Sequence, residues 1–452
     1  MPAVAAPWAI AGGGPVALLM ATVLARRGER VRVYERRADP RHGTPERGRS
    51  INLALAARGL HALDAAGVLD AVRPELVAMP GRMLHDEQGA TQYLAYGQRE
   101  HEVNWSVSRA NLTRLLTEAA AAQPGIELHF GTRCTGVDAA SGELLLHDLA
   151  GGRDYRVRAA ALIGADGAGS AVRTAMEAAH LCHATPEPLP HDYKELHIAA
   201  RPDGSHALPA HALHLWPRGG FMLIALPNAD GSFTATLFLP RTGEHSFAAL
   251  ASPTGAVDAA RVAAFFARHF PDVVPLVPDL TAQFATHPQG ELATLRCWPW
   301  HAQQTLLIGD AAHAIVPFHG QGLNCGFEDC LRLDEALRAE RDHARAFAAY
   351  EAERRRNTDA IALMALENYV EMRDTVRSPD FARRKALANA LEQRFPTRFI
   401  PRYSMVMFHA EIPYGDALAR GAAQERLMDT LLARGLGADA PELPQLLLEA
   451  GL

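Results

Sequence analysis

Three short strings in this chain carry residue types suited to a ligand made of phosphate and sugar. Near the start, Gly12-Gly13-Gly14-Pro15-Val16-Ala17 has the spacing G-x-G-x-x-A, and Glu35 closes an alternating run about 20 residues on. Gly12 permits a tight turn, Gly14 lets backbone approach a pyrophosphate, and Ala17 is small enough for a helix to lie close to a strand. Glu35 can take ribose hydroxyls. Mid-chain comes Gly164-Ala165-Asp166-Gly167. Late in the chain, the apolar run 305–308 ends in Gly309-Asp310, and Gly320-Gln321-Gly322-Leu323-Asn324 opens what reads as a helix. The Asp310 carboxylate can accept a hydroxyl hydrogen bond. The free N–H groups and dipole of a helix start favour a nearby anion or developing negative charge. Each string alone is also what an ordinary strand-to-helix turn looks like.

Other candidates are side chains. Arg47-Gly48-Arg49-Ser50-Ile51-Asn52-Leu53-Ala54-Leu55 places two Arg and a Ser beside glycines, either a phosphate-contacting loop or a solvated basic one. Arg82, in Gly81-Arg82-Met83-Leu84-His85, sits among apolar neighbours. A half-buried guanidinium needs an anion, which either a protein carboxylate or a substrate carboxylate supplies. Arg109 follows Ser106-Val107-Ser108 at a helix start, in reach of a cofactor or on the surface. Asn368 and Met372 share a helix face, and there an Asn is either solvated or a pocket hydrogen-bonder. His211 and His214, three apart on a strand, face opposite ways and make a poor metal pair. No metal site is expected.

The elements that must position these residues follow from pattern. Residues 8–10 and 31–35 read as strands flanking a helix over 18–27. Further strands are expected at 81–85, 93–96, 126–130, 143–147 and 161–164. Residues 181–291 change texture to alternating antiparallel strands, 191–198, 211–215, 220–226 and 233–239, with turns such as Asn228-Ala229-Asp230-Gly231. Such an insert normally forms the substrate half of a cleft. Residues 328–366 read as one amphipathic helix and 416–452 as helical with two glycine breaks. The fold class expected is α/β: a Rossmann-like nucleotide-binding domain, an inserted mostly antiparallel substrate sheet and a C-terminal helical region. The segments are 1–75, 99–180 and 292–335 for nucleotide binding, 76–98 and 181–291 for substrate, and 336–452 for the helices. No second glycine-rich βαβ unit is found, so a nicotinamide would lack its own Rossmann domain.

Bulk composition narrows the class. At 452 residues, 48% hydrophobic and 21% charged, the chain is globular and long enough for two or three cores. A net charge of -6 argues against nucleic acid or an anionic membrane surface as partner. Five cysteines without C-x-x-C spacing suit a reducing cytoplasm. The N-terminus lacks a basic n-region and reads as a first strand, and no run of apolar residues reaches membrane-spanning length.

The order of the three glycine motifs resembles that of the single-component FAD-dependent aromatic hydroxylases. The strings 48–55, 81–83, Tyr96-Gly97, Ser106-Val107-Ser108-Arg109, Pro317-Phe318-His319-Gly320-Gln321-Gly322 and Asn368-Tyr369-Val370-Glu371-Met372-Arg373 are similar to those of its kynurenine-hydroxylating members, through Tyr403. The resemblance implies FAD as cofactor, NADPH as co-substrate, L-kynurenine and O2 as substrates, and oxygen transfer through a flavin hydroperoxide. It implies flavin contacts at Gly12, Gly14, Val16, Tyr34, Glu35, Arg36, Arg37, Ala54, Arg109, Cys134, Ala171, Asp310, Gly322, Leu323 and Asn324. Arg82, Tyr96, Asn368 and Tyr403 would hold the amino-acid end of the substrate, while Phe238, Pro317, Phe318, His319 and Met372 would line the pocket. Of these, Arg82, Tyr96, Asn368, Tyr403 and His319 would carry the catalytic roles. Ala17 departs from the family's more frequent Gly, and the C-terminus lacks the hydrophobic anchor of mitochondrial members, implying a soluble form. Rival readings are a hydroxylase of another aromatic carboxylate, a flavin-fold protein that binds a partner without catalysis, and a plain NAD dehydrogenase. The oligomeric state is left open, with a homodimer entertained.

Overall fold

The structure, a computed structural model, describes residues 6–42, 52–138 and 141–452. Gly48, Arg49, Ser50 and Ile51 lie outside them. Asn52-Leu53-Ala54-Leu55 lies inside, as a short strand. The chain divides into two compact units of three segments each. The first comprises Met1–Leu76, Val107–Leu189 and Glu291–Thr358; the second comprises Val77–Ser106, Pro190–Gly290 and Asp359–Leu452.

The first unit is built on a six-stranded sheet in the order His301–Ala302, Thr305–Leu307, Leu162–Gly164, Trp8–Ala11, Val31–Glu35, Ile126–Phe130. Trp8–Ala11 pairs in parallel with Val31–Glu35 on one side and Leu162–Gly164 on the other. All four of its residues are buried, as a strand covered on both faces requires. The helix Pro15–Arg26 leaves directly from the glycine turn, with Pro15 at the first position, where a missing N–H costs nothing. It packs against the helices Arg109–Ala121 and Gly322–Ala339. A three-stranded antiparallel sheet, Thr132–Asp138, Glu143–Asp148 and Arg153–Val157, carries the helix Ala171–Ala178 against its first strand.

The second unit is built on a mostly antiparallel seven-stranded sheet in the order Gln289–Trp298, His183–Ile198, Phe233–Pro240, Met222–Pro227, Ala212–Pro217, Gly81–His85, Thr91–Ala95. Gly81–His85 joins Ala212–Pro217 in parallel, so the segment that carries Arg82 extends this sheet from far back in the sequence. One face is sealed by the helix Ala259–His269, whose Val262 and Phe266 pack with Trp216, Leu223, Phe233 and Leu237. Asp258 starts that helix by accepting the amides of Ala260 and Arg261. The helices Pro379–Arg394, Tyr414–Ala433 and Leu443–Glu449 enclose a separate core of Leu391, Phe399, Leu427, Leu431, Leu443 and Leu447.

Two elements differ from the sequence pattern. The helix expected over 328–366 is two helices, Gly322–Ala339 and His343–Arg373. Glu340 is extended, and Asp342 accepts the amide of Arg345 at 2.9 Å, a new helix start hidden inside a continuous amphipathic run. The helix expected to open at Ser106 is preceded by the strand Asn104–Ser108 and begins at Arg109, with Ser108 as its cap. Among the described residues no helix is long and apolar enough to cross a membrane.

Candidate active site

In the first unit the early and late glycine motifs meet at Val16. A Cβ added to Gly309 or Gly326 would come 3.3 Å or 2.7 Å from the Val16 side chain, so both glycines are needed for this approach. Gly12, at φ +98°, is also hemmed in, since a Cβ there would sit 2.5 Å from the Ala165 carbonyl of the mid-chain motif. Gly14 is the opposite case. It is the N-cap of Pro15–Arg26, caps nothing with a side chain, and an added Cβ meets no protein atom within 4 Å. That open side at a helix start leaves room for an anion to approach. Glu35 is buried and binds the turn itself, accepting the Gly13 amide at 2.6 Å and the Arg37 amide at 2.8 Å. Asp166 accepts the Ala171 amide at 2.7 Å, holding its turn, while its Oδ1 is buried without a partner. Asp310 is exposed between buried Gly309 and Ala311.

The remaining expected flavin contacts fall in this unit with different exposures. Val16, Ala54, Cys134, Ala171, Gly322 and Leu323 are half-buried, and Arg36, Arg37 and Arg109 are exposed. Tyr34 is buried and stacked on His129 at 4.9 Å. Burial pushes the Cys134 thiol up to about 12, so it stays protonated. Asn324 is fully buried and its side chain is spent inside the protein. Its Oδ1 accepts the Ala56 amide at 2.9 Å, and its Nδ2 donates to the carbonyls of Ala54 and Gly320, each at 2.8 Å. Only its backbone is left for a ligand. Asn324 therefore fixes the start of Gly322–Ala339 against Asn52–Leu55, and Gly59 is a glycine because a Cβ there would strike the Asn324 carboxamide.

Beneath the Gly309 turn lies an ionic network that the sequence pattern did not reveal. Asp329 accepts the Gly309 amide at 3.1 Å, His313 Nε2 at 2.7 Å and Arg354 Nε at 2.8 Å. Arg354 also donates to Glu328 at 2.6 Å, and Glu328 accepts from Arg58 at 2.9 Å. Burial alone would raise Asp329, but His313 and Arg354 outweigh it and hold the carboxyl down to about 2. The adjacent Glu328-Asp329 pair just inside a helix was the available signal.

In the second unit the predicted Arg82, Tyr96 and Tyr403 come together. Arg82 is 6% exposed; its Nη2 donates to Glu371 at 3.0 Å, and its Nε is buried without a partner. Of the two anions weighed for Arg82, the protein supplies one and still leaves a donor open. The guanidinium lies 5.6 Å from the centre of the Phe381 ring. Tyr96 stacks on Tyr403 at 5.3 Å, and Asn104 Nδ2 donates to the Tyr403 hydroxyl at 3.0 Å, while Asn104 Oδ1 is buried without a partner. Burial opposes the charge on Arg82, but Glu371 and Tyr96 more than restore it. Burial also pushes Tyr96 up to about 12, so that hydroxyl remains a donor. Asn368 and Met372 do share a face, with Asn368 Nδ2 3.4 Å from Met372 Sδ; both are buried, so Asn368 is not a solvated residue. Phe238 is a buried residue of Phe233–Pro240. Pro317, Phe318 and His319 form a 3-10 turn in the first unit, with Phe318 and His319 buried. Glu371, Asn104, Phe381 and Lys385 were not foreseen. Glu371 at least stands inside the string 368–373.

A parallel sheet with a glycine turn, an acid at the next strand end and a late Gly-Asp turn packed on the same helix define a flavin-adenine-dinucleotide-binding protein. Residues 6–239 and 266–364 match the FAD binding domain family. A kynurenine 3-monooxygenase of Stenotrophomonas maltophilia is 48% identical over 432 residues, covering 95% of this chain and 92% of that one. Another, from Xanthomonas axonopodis pv. citri, is 48% identical over 418 residues, covering 92% and 90%. Among solved structures, the tetrameric form of 2-methyl-3-hydroxypyridine-5-carboxylic acid oxygenase aligns with TM-score 0.66 at 20% identity, over 83% of this chain and 94% of that one. The p-nitrophenol 4-monooxygenase of Pseudomonas putida aligns with TM-score 0.65 at 19% identity, over 87% and 94%. These two establish the fold. The chain belongs to the kynurenine 3-monooxygenase family.

Proposed function

We propose that this protein hydroxylates L-kynurenine to 3-hydroxykynurenine, using FAD, NADPH and O2. The observation that carries the substrate reading is Arg82, a buried guanidinium with one nitrogen on Glu371 and another left without an acceptor. A buried donor of this kind is costly unless a ligand satisfies it.

The first unit fits FAD. The free helix start at Gly14 suits the pyrophosphate, Glu35 and the open Asp166 oxygen suit sugar hydroxyls, and exposed Asp310 suits the ribityl chain. The amides of Gly322, Leu323 and Asn324 begin a helix without a side-chain cap and suit the electron-rich edge of the reduced ring. When bound and reduced by NADPH, FAD supplies activated oxygen: one atom goes to the aniline ring beside its amino group and the other leaves as water.

The rest is orientation by side chains. Arg82 Nε donates to the substrate carboxylate, and the Tyr96 hydroxyl adds a second donor. An amino-acid substrate also carries an ammonium, and Glu371, about one-third exposed at its side chain, presents a carboxylate to it. Tyr403, fixed by Asn104 and Tyr96, sets the position of Tyr96. Within the second unit, Asn368, Met372 and Phe238 supply apolar and amide lining. No protein nucleophile or metal is needed, because the cofactor performs the oxygen chemistry. All five cysteines are free thiols, which supports a reducing, cytoplasmic location.

Mass spectrometry of the product from L-kynurenine, NADPH and 18O2 tests the reaction. One labelled oxygen on the ring is expected. A labelled dihydroxybenzoate from a hydroxybenzoate supplied in a parallel reaction, with kynurenine untouched in the first, would replace the reading with the other aromatic-carboxylate hydroxylase.

A further inference from the structure

The chain has 45 basic residues, of which two, Lys194 and Lys385, are lysine. Lys194 is structural: its ammonium caps the carbonyls of Phe284 and His287, each at 2.8 Å, over the Phe284 ring. Lys385 is placed differently. It lies on Pro379–Arg394 four residues after Phe381, so both side chains leave the same helix face. Phe381 is the ring beneath the Arg82 guanidinium. Lys385 Nζ donates to the Ala95 carbonyl at 2.7 Å. Ala95 is paired across the ladder with Gly81, the neighbour of Arg82, and directly precedes Tyr96. An ammonium has three donors, so after Ala95 two remain for a ligand.

We propose that Lys385 is the second cation of the substrate-carboxylate subsite, sharing the carboxylate with Arg82 while Glu371 takes the substrate ammonium. The inference rests on the reading of the Arg82 cluster as the amino-acid end of the site. Two cations and one anion then face a ligand group of each sign, and the bound cluster keeps one positive charge to oppose desolvation of the carboxylate. An Arg at this position would not titrate; a Lys does. Burial, then repulsion from Arg82, brings Lys385 down to about 8, with Glu371 partly opposing. The charged groups acting on it are Arg82 from Gly81–His85 and Glu371 from His343–Arg373, and the Tyr96 and Tyr403 hydroxyls beside Arg82 are both held neutral by burial. A carboxylate ligand is therefore expected to bind well below pH 8 and progressively less well above it.

The test uses the FAD-loaded enzyme with L-kynurenine, its decarboxylated analogue, and 4-phenyl-4-oxobutanoate, a carboxylate without an amine whose own charge is constant from pH 7 to pH 9.5. The dissociation constant of 4-phenyl-4-oxobutanoate, from calorimetry, is expected to rise about tenfold across that range in the wild type. Lys385→Met is expected to raise the kynurenine KM about tenfold with little change in kcat, and to abolish the pH dependence. Lys385→Arg is expected to keep tight binding and also lose the pH dependence, which shows that charge and not packing is responsible. The decarboxylated analogue is expected to have the same KM in the wild type and in Lys385→Met. If Lys385→Met keeps the wild-type KM and pH profile, or weakens both kynurenine and its decarboxylated analogue equally, the assignment is overturned. Arg82→Met separates the two levels. If it raises KM while Lys385→Met does not, only the role of Lys385 falls. If neither does, the reading of the whole subsite falls.

Discussion

Two buried arginines divide the work of this molecule. Arg354, in the first unit, is 1% exposed and closed: its Nε meets Asp329 at 2.8 Å, its Nη1 meets Glu328 at 2.6 Å, and its Nη2 meets the Cys325 carbonyl at 3.3 Å. Arg82, in the second, is nearly as buried but open, with one bond to Glu371 and an unpartnered Nε. A saturated guanidinium stiffens the turn that carries Asp310. An unsaturated one stores a hydrogen bond for a ligand. The same residue type is scaffold in one place and, on the proposed reading, receptor in the other, and the difference lies in how many acceptors the protein provides.

The contrast is broken most readily at Arg354. Arg354→Met takes the shared cation away from two buried carboxylates, leaving Asp329 with His313 and Glu328 with Arg58, and is expected to destabilise the protein by about 3–5 kcal/mol. Arg82→Met is expected to leave thermal stability nearly unchanged, because Glu371 can reach water. Equal losses of Tm in the two variants, measured by calorimetry, would erase the distinction.

The glycine turn offers a second division of scaffold from receptor. Gly12→Ala forces a Cβ against the Ala165 carbonyl at positive φ, so it is expected to damage both the fold and flavin retention. Gly14→Ala meets no protein atom and has φ -75°, which any residue tolerates. Its apoprotein is expected to melt as the wild type does, while FAD affinity falls at least about tenfold through a blocked pyrophosphate approach. A drop in the apoprotein Tm of Gly14→Ala would count against that placement.

Acid tests the closed network. Asp329 is held down to about 2, below the usual carboxylate value near 3.9. A depressed carboxyl contributes stability above its unfolded pKa and loses it as pH falls through the folded one. About 2 kcal/mol of stability is therefore expected to disappear between pH 4 and pH 2, and Asp329→Asn is expected to flatten that limb. The smallest effect belongs to Tyr403→Phe, which removes one hydroxyl from the Asn104, Tyr403 and Tyr96 chain. A KM increase of about 2- to 10-fold follows from a single neutral hydrogen bond, and steady-state kinetics would show it.

What the sequence revealed follows the same line between local and distant. Gly12, Gly14, Ala17 and Glu35 lie in one βαβ stretch, so their geometry is dictated by neighbours a few residues away, and the pattern could be read directly. The meeting of Val16 with Gly309 and Gly326 was legible only as two compatible motifs. Asn324 shows the limit: its position at the helix start was expected, but the three hydrogen bonds that consume its side chain come from tertiary packing. In the second unit, Arg82 and Asn368 stood out by their apolar setting and helix face, while Tyr96 and Tyr403, and a substrate role for all four, came through resemblance to a family. Glu371 and Lys385 were missed because they reach Arg82 and Ala95 from roughly 290 residues away, and no local period marks such a contact. The break at Glu340 was hidden because charge and apolar spacing continue through it while the backbone does not.

The most direct test of the central claim compares kcat/KM for L-kynurenine with that for its decarboxylated analogue, in the wild type and in Arg82→Met. An open guanidinium that reads the carboxylate predicts a strong wild-type preference for kynurenine, reduced about 10- to 100-fold in the variant, with the analogue hardly affected. A preference that survives intact in Arg82→Met would contradict it and return Arg82 to the scaffold.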